Sequence, residues 1–447
     1  MVTFMALVML TGQASAIGLI RDAEIEALLR EYTDPILIAA GLQPDAVDIY
    51  IVNDPSLNAF VTGGKNIFLH TGLIVEAERP LELIGVIAHE TGHISGGHLV
   101  RRSEGARAAT LPMLLGLGVG IIAALAGAPD LGMAAIAGGQ HIAMMEMLAY
   151  TRVQESSADQ AAVTFMNRAE LSPDGILSFF EKFRYTEVFS AHSQHVPPYW
   201  RSHPMSSDRI AALTSRVESS KFNGQPDSDE SVHRFSMMQG KLRGFIDHPQ
   251  STLRRYPPED VSAEARYARA IALYRLVEVD EALAEVDALS KDEPDNAYFQ
   301  ELRGQILFES GRVAEAIPYH AKSVELAPGE ALLRVNLAQA MIAEAGSEKD
   351  LEKTAEARGH LLAALATDED NPFTYHQLAI TYAREGNEGM AALYTAEQHY
   401  HAGNIAGATS FAVRARHYLE KNTPAWHRAS DILNVASNLR EDSKRRS

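Results

Sequence analysis

The sequence predicts an α+β chain: a mainly helical first domain holding a small β-sheet, then an all-α domain of helical repeats. Three observations lead there. Alternating apolar positions are concentrated between residues 47 and 70, whereas the longer apolar runs recur at helical spacing. Pro294 and Pro328 stand 34 positions apart, the period of a repeat built from two antiparallel helices. The apolar run Leu83-Ile84-Gly85-Val86-Ile87-Ala88 closes on His89-Glu90-Thr91-Gly92-His93, a pattern that metal-binding helices use.

Composition sets bounds on the rest. At 447 residues, 46% of them hydrophobic, the chain has material for two or three domains. A formal net charge of −18 and no concentrated basic tract argue against a nucleic-acid partner. The chain has no cysteine, which excludes disulfides, iron–sulfur clusters and thiolate metal sites. Any zinc must therefore be held by His and carboxylate. This usage is compatible with an oxidising compartment.

Taken in order, Val2 to Leu10 is apolar and leads into Gln13-Ala14-Ser15-Ala16. Residues 1–16 therefore read as a secretory signal cut after Ala16; because no Lys or Arg precedes the apolar run, an apolar N-terminal helix of the mature protein is the alternative. The first domain is set at 17–220. Ile20, Ile25, Leu28 and Leu29 put a helix over residues 21–32. Val47, Ile49 and Ile51 alternate as a strand that ends at the turn Asn53-Asp54-Pro55. Two short strands follow, about Asn58 to Val61 and Asn66 to His70, joined by Thr62-Gly63-Gly64-Lys65. Such a hairpin offers an edge on which an extended peptide can lie through main-chain hydrogen bonds. Pro80 opens the next helix at its first turn, where a missing N–H costs nothing, and Gly96-Gly97 ends it.

On that helix His89 and His93 stand at i and i+4, so both imidazoles face one ion. Glu90 lies about 100° further round, off the ligand face but close enough to deprotonate a metal-bound water. This is the division of labour of a zinc hydrolase. A catalytic zinc needs a third protein ligand. Glu155-Ser156-Ser157-Ala158-Asp159, in a helical segment from 152 to 166, puts two carboxylates on one face. One can bind the metal while the other accepts the second ring N–H of a ligating histidine. His70 and His98 read as structural or surface histidines.

From Thr110 to Ala128 there is no charge, and Leu111 to Ala128 is long enough to span a bilayer. Pro129-Asp130 breaks it, and a weaker apolar stretch from Leu131 to Met145 is interrupted at Gly138-Gly139-Gln140-His141. His93 precedes the tract and Glu155 follows it, so it must leave and return on one side. Residues 109–147 therefore read as a hydrophobic hairpin near the site, buried or dipping into a membrane surface through 111–145, with a transmembrane pair as the alternative. Pro173-Asp174 begins a core helix with Ile176, Leu177, Phe179, Phe180 and Phe183 inside. A loop with His192 and His195 comes next, read as ordinary loop histidines, and leads to Ser202-His203-Pro204.

The polar, turn-rich run from Lys221 to Glu230 opens a linker, set at 221–260. Residues 261–447 form the repeat domain. Ala282 and Ala316 fall at the small position of the second helix of a unit, Ala270 and Gly304 at that of the first. Asn371-Pro372 closes a third unit stretched by an insertion near Ser347 to Lys353, and a fourth begins around Tyr375, Leu378, Ala379 and Tyr382. Such arrays stack into a curved surface that binds peptides or partner proteins.

Several of these words in this order resemble the gluzincin zinc metallopeptidases of peptidase family forty-eight, the family of HtpX and the CAAX prenyl endopeptidases. They are Asn58-Ala59-Phe60 with Gly63-Gly64, His89 to His93, Glu155 to Asp159, and Ser202-His203-Pro204. The resemblance extends by architecture to members with a helical-repeat tail. It implies one Zn2+ per chain, held by His89, His93 and Glu155 with Asp159 in support, and Glu90 as the base that activates the zinc water. It implies that His203 either stabilises the tetrahedral oxyanion or fills the water's position as a fourth ligand, which would hold the enzyme latent. By the same likeness Asn58 would help hold the substrate backbone. Its ordinary alternative is a strand-end side chain bonding its own turn. Arg209 would steady Glu155 or substrate carbonyls, a surface salt bridge being its ordinary alternative. The implied function is a periplasmic endopeptidase acting on misfolded or stalled envelope proteins, chiefly outer-membrane barrels. Its repeats would bind clients or the outer-membrane assembly machinery. The alternative is a chaperone or scaffold of outer-membrane protein assembly whose peptidase site is plugged by His203.

Overall fold

The computed structural model describes residues 18–63, 65–98, 101, 110, 113–115, 117, 119, 129–190, 199, 203–204, 206–346 and 350–446. The expected export signal at 1–16, His192, His195, Ser202 and most of the uncharged tract at 111–128 lie outside these residues. The chain divides into two compact units. One holds Ile25–Gln239 with the residues up to Arg21, the other Gly240–Ser447 with Asp22–Glu24.

The first unit carries a four-stranded sheet in the order β1-β2-β4-β3. Strand β1 (Leu19–Ile20) runs antiparallel to β2 (Asp48–Val52), and β2 runs parallel to β4 (Asn66–His70), with Asp48 opposite Asn66. Strand β3 (Ala59–Thr62) pairs antiparallel with β4 and forms one edge of the sheet. The expected hairpin is therefore present, with its first strand one residue later than the alternation placed it. Helix α1 (Ala23–Ala39) extends beyond the expected segment and includes Pro35. It buries Ile25, Leu28, Leu29, Ile36 and Leu37, the stripe that its spacing predicts.

After α2 (Thr71–Glu76), helix α3 (Pro80–Ser95) is buried at every position from Pro80 to Gly92. A helix apolar nearly all round belongs inside, and α3 is the spine of this unit. Helix α4 (Pro129–Arg168) and helix α5 (Asp174–Ser190) both pack on it. Helix α4 differs from expectation in its continuity, since it passes Gly138-Gly139 without a break. Each helical glycine costs about 1 kcal/mol against Ala, less than ending a cooperative hydrogen-bond ladder would. The stretch read as the returning arm of a hairpin is thus the front half of the Glu155 helix. Among the described residues no helix is long and apolar enough to cross a membrane. Helix α6 (Ser207–Glu218) closes the site.

The tract read as a linker holds two helices, α7 (Asp229–Ile246) and α8 (Pro249–Arg255). Phe235, Met238 and Leu242 bury one face of α7 at helical spacing, a signal that the polar run before it masked.

The second unit stacks helix pairs: α9 (Ala263–Arg275) with α10 (Val279–Asp292), α11 (Ala297–Glu309) with α12 (Val313–Leu326), and α13 (Ala331–Glu344) with α14 (Leu351–Ala364). Then come α15 (Pro372–Arg384) with α16 (Glu388–His401), and α17 (Ile405–Tyr418) with α18 (Pro424–Arg446). Ala270, Ala282 and Ala316 are fully buried, and Gly304 lies against the ring of buried His320. Small residues at these places let neighbouring helices close up. Asp22–Glu24 group with this unit through Lys241, whose buried ammonium lies 2.8 Å from Asp22 Oδ2 and 3.1 Å from Glu24 Oε2. Tyr267 donates to Glu24 at 2.6 Å.

Candidate metal centre

Two helices make the centre, and a glycine sets their distance. A Cβ at Gly92 would stand 2.9 Å from the Ala158 carbonyl oxygen and 3.0 Å from its Cα. Only glycine permits this approach of α3 to α4. It brings Glu155, one turn before Ala158, to the two histidines.

There the donor atoms converge. His89 Nε2 lies 3.1 Å from His93 Nε2, 3.3 Å from His203 Nδ1 and 3.4 Å from Glu155 Oε2. His93 Nε2 lies 3.5 Å from Glu155 Oε1, and His203 Nδ1 3.1 Å from Glu155 Oε2. The ligand atoms of His89, His93, Glu155 and His203 all fall within 4.8 Å of one another. Ligands bound at about 2.0–2.1 Å to a tetrahedral zinc stand roughly 3.3–3.4 Å apart, so these separations fit that ion. The donor set, three imidazoles and one carboxylate, fits its chemistry as well.

The surrounding charges favour a cation. Burial works against a charged His89, but Asp159 and Glu155 beside it outweigh burial and push its pKa up to about 9. Burial, and then the neighbouring His89, hold His93 far below the usual imidazole range. Burial also works against ionised Glu155, yet hydrogen bonds with His203 and His89 keep it well below the usual carboxylate range. The carboxylates therefore favour positive charge at this place, which a divalent ion could supply. Asp159 Oδ1 stands 3.0 Å from His89 Nδ1, behind the face that His89 turns to the cluster.

Glu90 is almost fully buried, and burial pushes its pKa up. Its Oε1 lies 3.4 Å from His203 Nε2 and makes no hydrogen bond among the described residues. A buried carboxylate oxygen with an unmet lone pair beside a donor cluster is placed to take a proton. His203 is held from two sides: its backbone N–H donates to the Tyr199 carbonyl at 2.7 Å, and the Tyr199 ring stacks on it at 4.6 Å between centroids. The sequence reading assigned Tyr199 no role.

Arg209 is buried, which removes the surface salt bridge as its setting. Its guanidinium donates twice to Asp159 at 2.8 Å and once to the Pro204 carbonyl at 2.7 Å, and it lies 3.3 Å from Glu155 Oε2. Its donors thus meet the carboxylates of the cluster and the loop that carries His203. Asn58 accepts from the His70 N–H through its backbone carbonyl at 3.0 Å, at the end of β4. Its side-chain Oδ1 is buried and unbonded among the described residues. His70 lies 2.9 Å from Ser56 Oγ, within the turn before β3. His98, read as structural or surface, is buried and places Nδ1 2.9 Å from His93 Nδ1. Its signal was hidden because the contact depends on the turn at Gly96-Gly97 and not on helical spacing.

Comparison with known proteins agrees with this geometry. Residues 20–217 match peptidase family M48, and residues 267–331 match the tetratricopeptide repeat. The beta-barrel assembly-enhancing proteases of Yersinia pestis and Escherichia coli (strain K12) are each 26% identical over 301 residues, covering 66% of this chain and 60% of theirs. The mitochondrial metalloendopeptidase OMA1 of Schizosaccharomyces pombe is 24% identical over 178 residues, 40% of this chain and 49% of its own. The chain thus spans about three fifths of the length of the assembly-enhancing proteases it matches. The matched stretch contains the donor cluster: the chain carries a peptidase family M48 domain followed by tetratricopeptide repeats.

Proposed function

We propose that this chain is a zinc metalloendopeptidase that hydrolyses peptide bonds in misfolded or stalled envelope proteins in the periplasm. The observation that carries the reading is the convergence of the His89, His93, Glu155 and His203 donor atoms beside the buried, unbonded oxygen of Glu90. Zinc held there supplies Lewis-acid polarisation of the scissile carbonyl and acidifies a water.

The chain's own residues do the remaining work. Glu90 accepts the water proton at Oε1 and passes it to the departing amine. Asp159 fixes the ring of His89, and Arg209 keeps Asp159 and Glu155 oriented and ionised. His203, with Nδ1 among the donor atoms, would be a further ligand that holds the site latent, stabilisation of the oxyanion being its alternative role. The outer edge of β3, unpaired among the described residues and on a strand that packs against α3, takes an extended peptide by strand addition. Asn58, just before that strand, is in line to bind the substrate backbone.

The tetratricopeptide repeats bind the clients or the outer-membrane assembly machinery, in keeping with the names of the relatives. Segment 111–145 touches a membrane surface or apolar clients. Scaffolding of outer-membrane assembly through the repeats, with the peptidase site silent, is the competing account.

Glu90→Gln decides between them. It should leave zinc bound while lowering cleavage of an unfolded protein by roughly 10²–10⁴-fold. Full rescue of envelope-protein assembly by this variant would hand the function to the scaffold. His203→Ala should raise cleavage. A fall to the Glu90→Gln level would assign His203 to the oxyanion instead.

A further inference from the structure

We infer that His98 is a positioning residue for the metal centre: its Nδ1 accepts the hydrogen bond that orients His93 and fixes which of its nitrogens faces the cluster. The inference rests on the zinc reading above. The route starts from His93. Its Nε2 is the atom that lies 3.1 Å from His89 Nε2 and 3.5 Å from Glu155, so the Nε2 lone pair serves the cluster. A neutral imidazole with a free Nε2 lone pair carries its proton on Nδ1. That Nδ1–H needs an acceptor, and 2.9 Å away stands His98 Nδ1. His98 must then offer its own lone pair at Nδ1 and keep its proton at Nε2.

The backbone is shaped for this contact. Helix α3 ends at Ser95, Gly96 follows, and Gly97 turns the chain back through a left-handed conformation with φ of +62°. A Cβ at Gly96 would stand 2.5 Å from His98 Nε2 and 2.9 Å from its Cδ2 and Cε1. The two glycines thus provide the reversal and the room for the ring. The ring is buried and meets His93 edge-on, at 78° with centroids 5.0 Å apart. The His98 carbonyl accepts from Gln154 Nε2 at 3.5 Å, next to Glu155. A histidine filling space would need neither the paired nitrogens nor the glycine beneath its ring.

The two helix-borne histidines therefore have unlike partners behind them. His89 has the Asp159 carboxylate, which draws strongly on the ring proton and makes Nε2 a better donor. His93 has a neutral imidazole, which orients the ring while drawing less on it.

The test uses the full chain and zinc alone. Zinc affinity of the metal-stripped protein is measured by competition with a chromophoric chelator, and folding is checked by circular dichroism. His98→Phe keeps a ring in place without an acceptor and should weaken zinc binding by about 10–100-fold, the usual effect of losing such a partner. His98→Asn returns an acceptor oxygen and should recover most of the loss, which a space-filling role would not do. A folded His98→Phe that binds zinc within about twofold of the parent overturns the inference. Should His98→Phe fail to fold, Gly96→Ala decides, since it displaces the ring and leaves the residue intact. Weakened zinc binding supports the inference, and parental binding overturns it. A parent chain that binds no zinc defeats the metallopeptidase reading and this inference together. A parent that binds while His98→Phe binds equally defeats this inference alone.

Discussion

Arg209 shows how one cation organises the centre's anions. Glu155 and Asp159 are both buried, and Arg209 is the guanidinium that reaches both. Replacing it with Met would leave two carboxylates inside the protein without their permanent partner. Losing one side of a buried ion pair costs about 3–5 kcal/mol. The unfolding free energy of the metal-free chain, from urea titration, should fall by that amount. A loss under about 1 kcal/mol would show that the guanidinium braces nothing. Arg209→Lys should restore little, because one ammonium cannot donate in the two-pronged way seen here. At this scale the sequence was informative where chemistry follows helical spacing. His89, Glu90 and His93 read directly, as did Glu155 and Asp159 as a pair. Arg209 was legible only as a basic residue near the site, since nothing local reveals that its side chain points inward. His98 escaped because its partner is reached through a chain reversal.

Helix α4 joins two properties that the sequence appeared to separate. Its later half carries Glu155 and Asp159, while its earlier half exposes Leu131, Met133, Ile142, Met144 and Met145 to solvent. An exposed apolar face of this kind marks contact with lipid or apolar protein. Burying a large apolar side chain is worth roughly 1.5–3 kcal/mol. Replacing Leu131, Met133, Ile142 and Met144 with Ser should therefore reduce co-flotation with anionic vesicles by at least about tenfold, with zinc content unchanged. Equal flotation of parent and variant would remove the membrane from consideration. The existence of most elements was legible from periodicity, and their extents less so. Gly138-Gly139 reads locally as a break because residue propensity carries no record of the hydrogen-bond ladder around it. The parallel pairing of β2 with β4 joins segments separated by β3, which no local pattern records.

For the molecule as a whole, acid affects the repeat unit in two opposed ways. Burial pulls His320 down to about 4 from 6.5, so the unfolded chain takes up its proton first as pH falls. Stability from a neutral His320 is therefore lost between pH 6.5 and 4. Burial pushes Glu301 up to about 7 from 4.5, so the folded chain keeps a proton that the unfolded chain releases. That contribution is full below pH 4.5 and is lost as pH rises towards 7. Each is worth up to about 3 kcal/mol, and between pH 4.5 and 6.5 they offset one another. Relative to the parent, His320→Leu should make the repeat unit less stable at pH 7 than at pH 5, and Glu301→Gln should do the reverse. Urea midpoints at the two pH values provide the check. Parental slopes in both variants would refute the pairing.

The ion cluster at Lys241 bears on how this polymer can be divided. The repeat unit is not one continuous piece, because the carboxylates that neutralise its buried ammonium come from Asp22 and Glu24. A gene split at codon 240 would strand that charge, and the C-terminal product should be less stable than the same unit in the full chain.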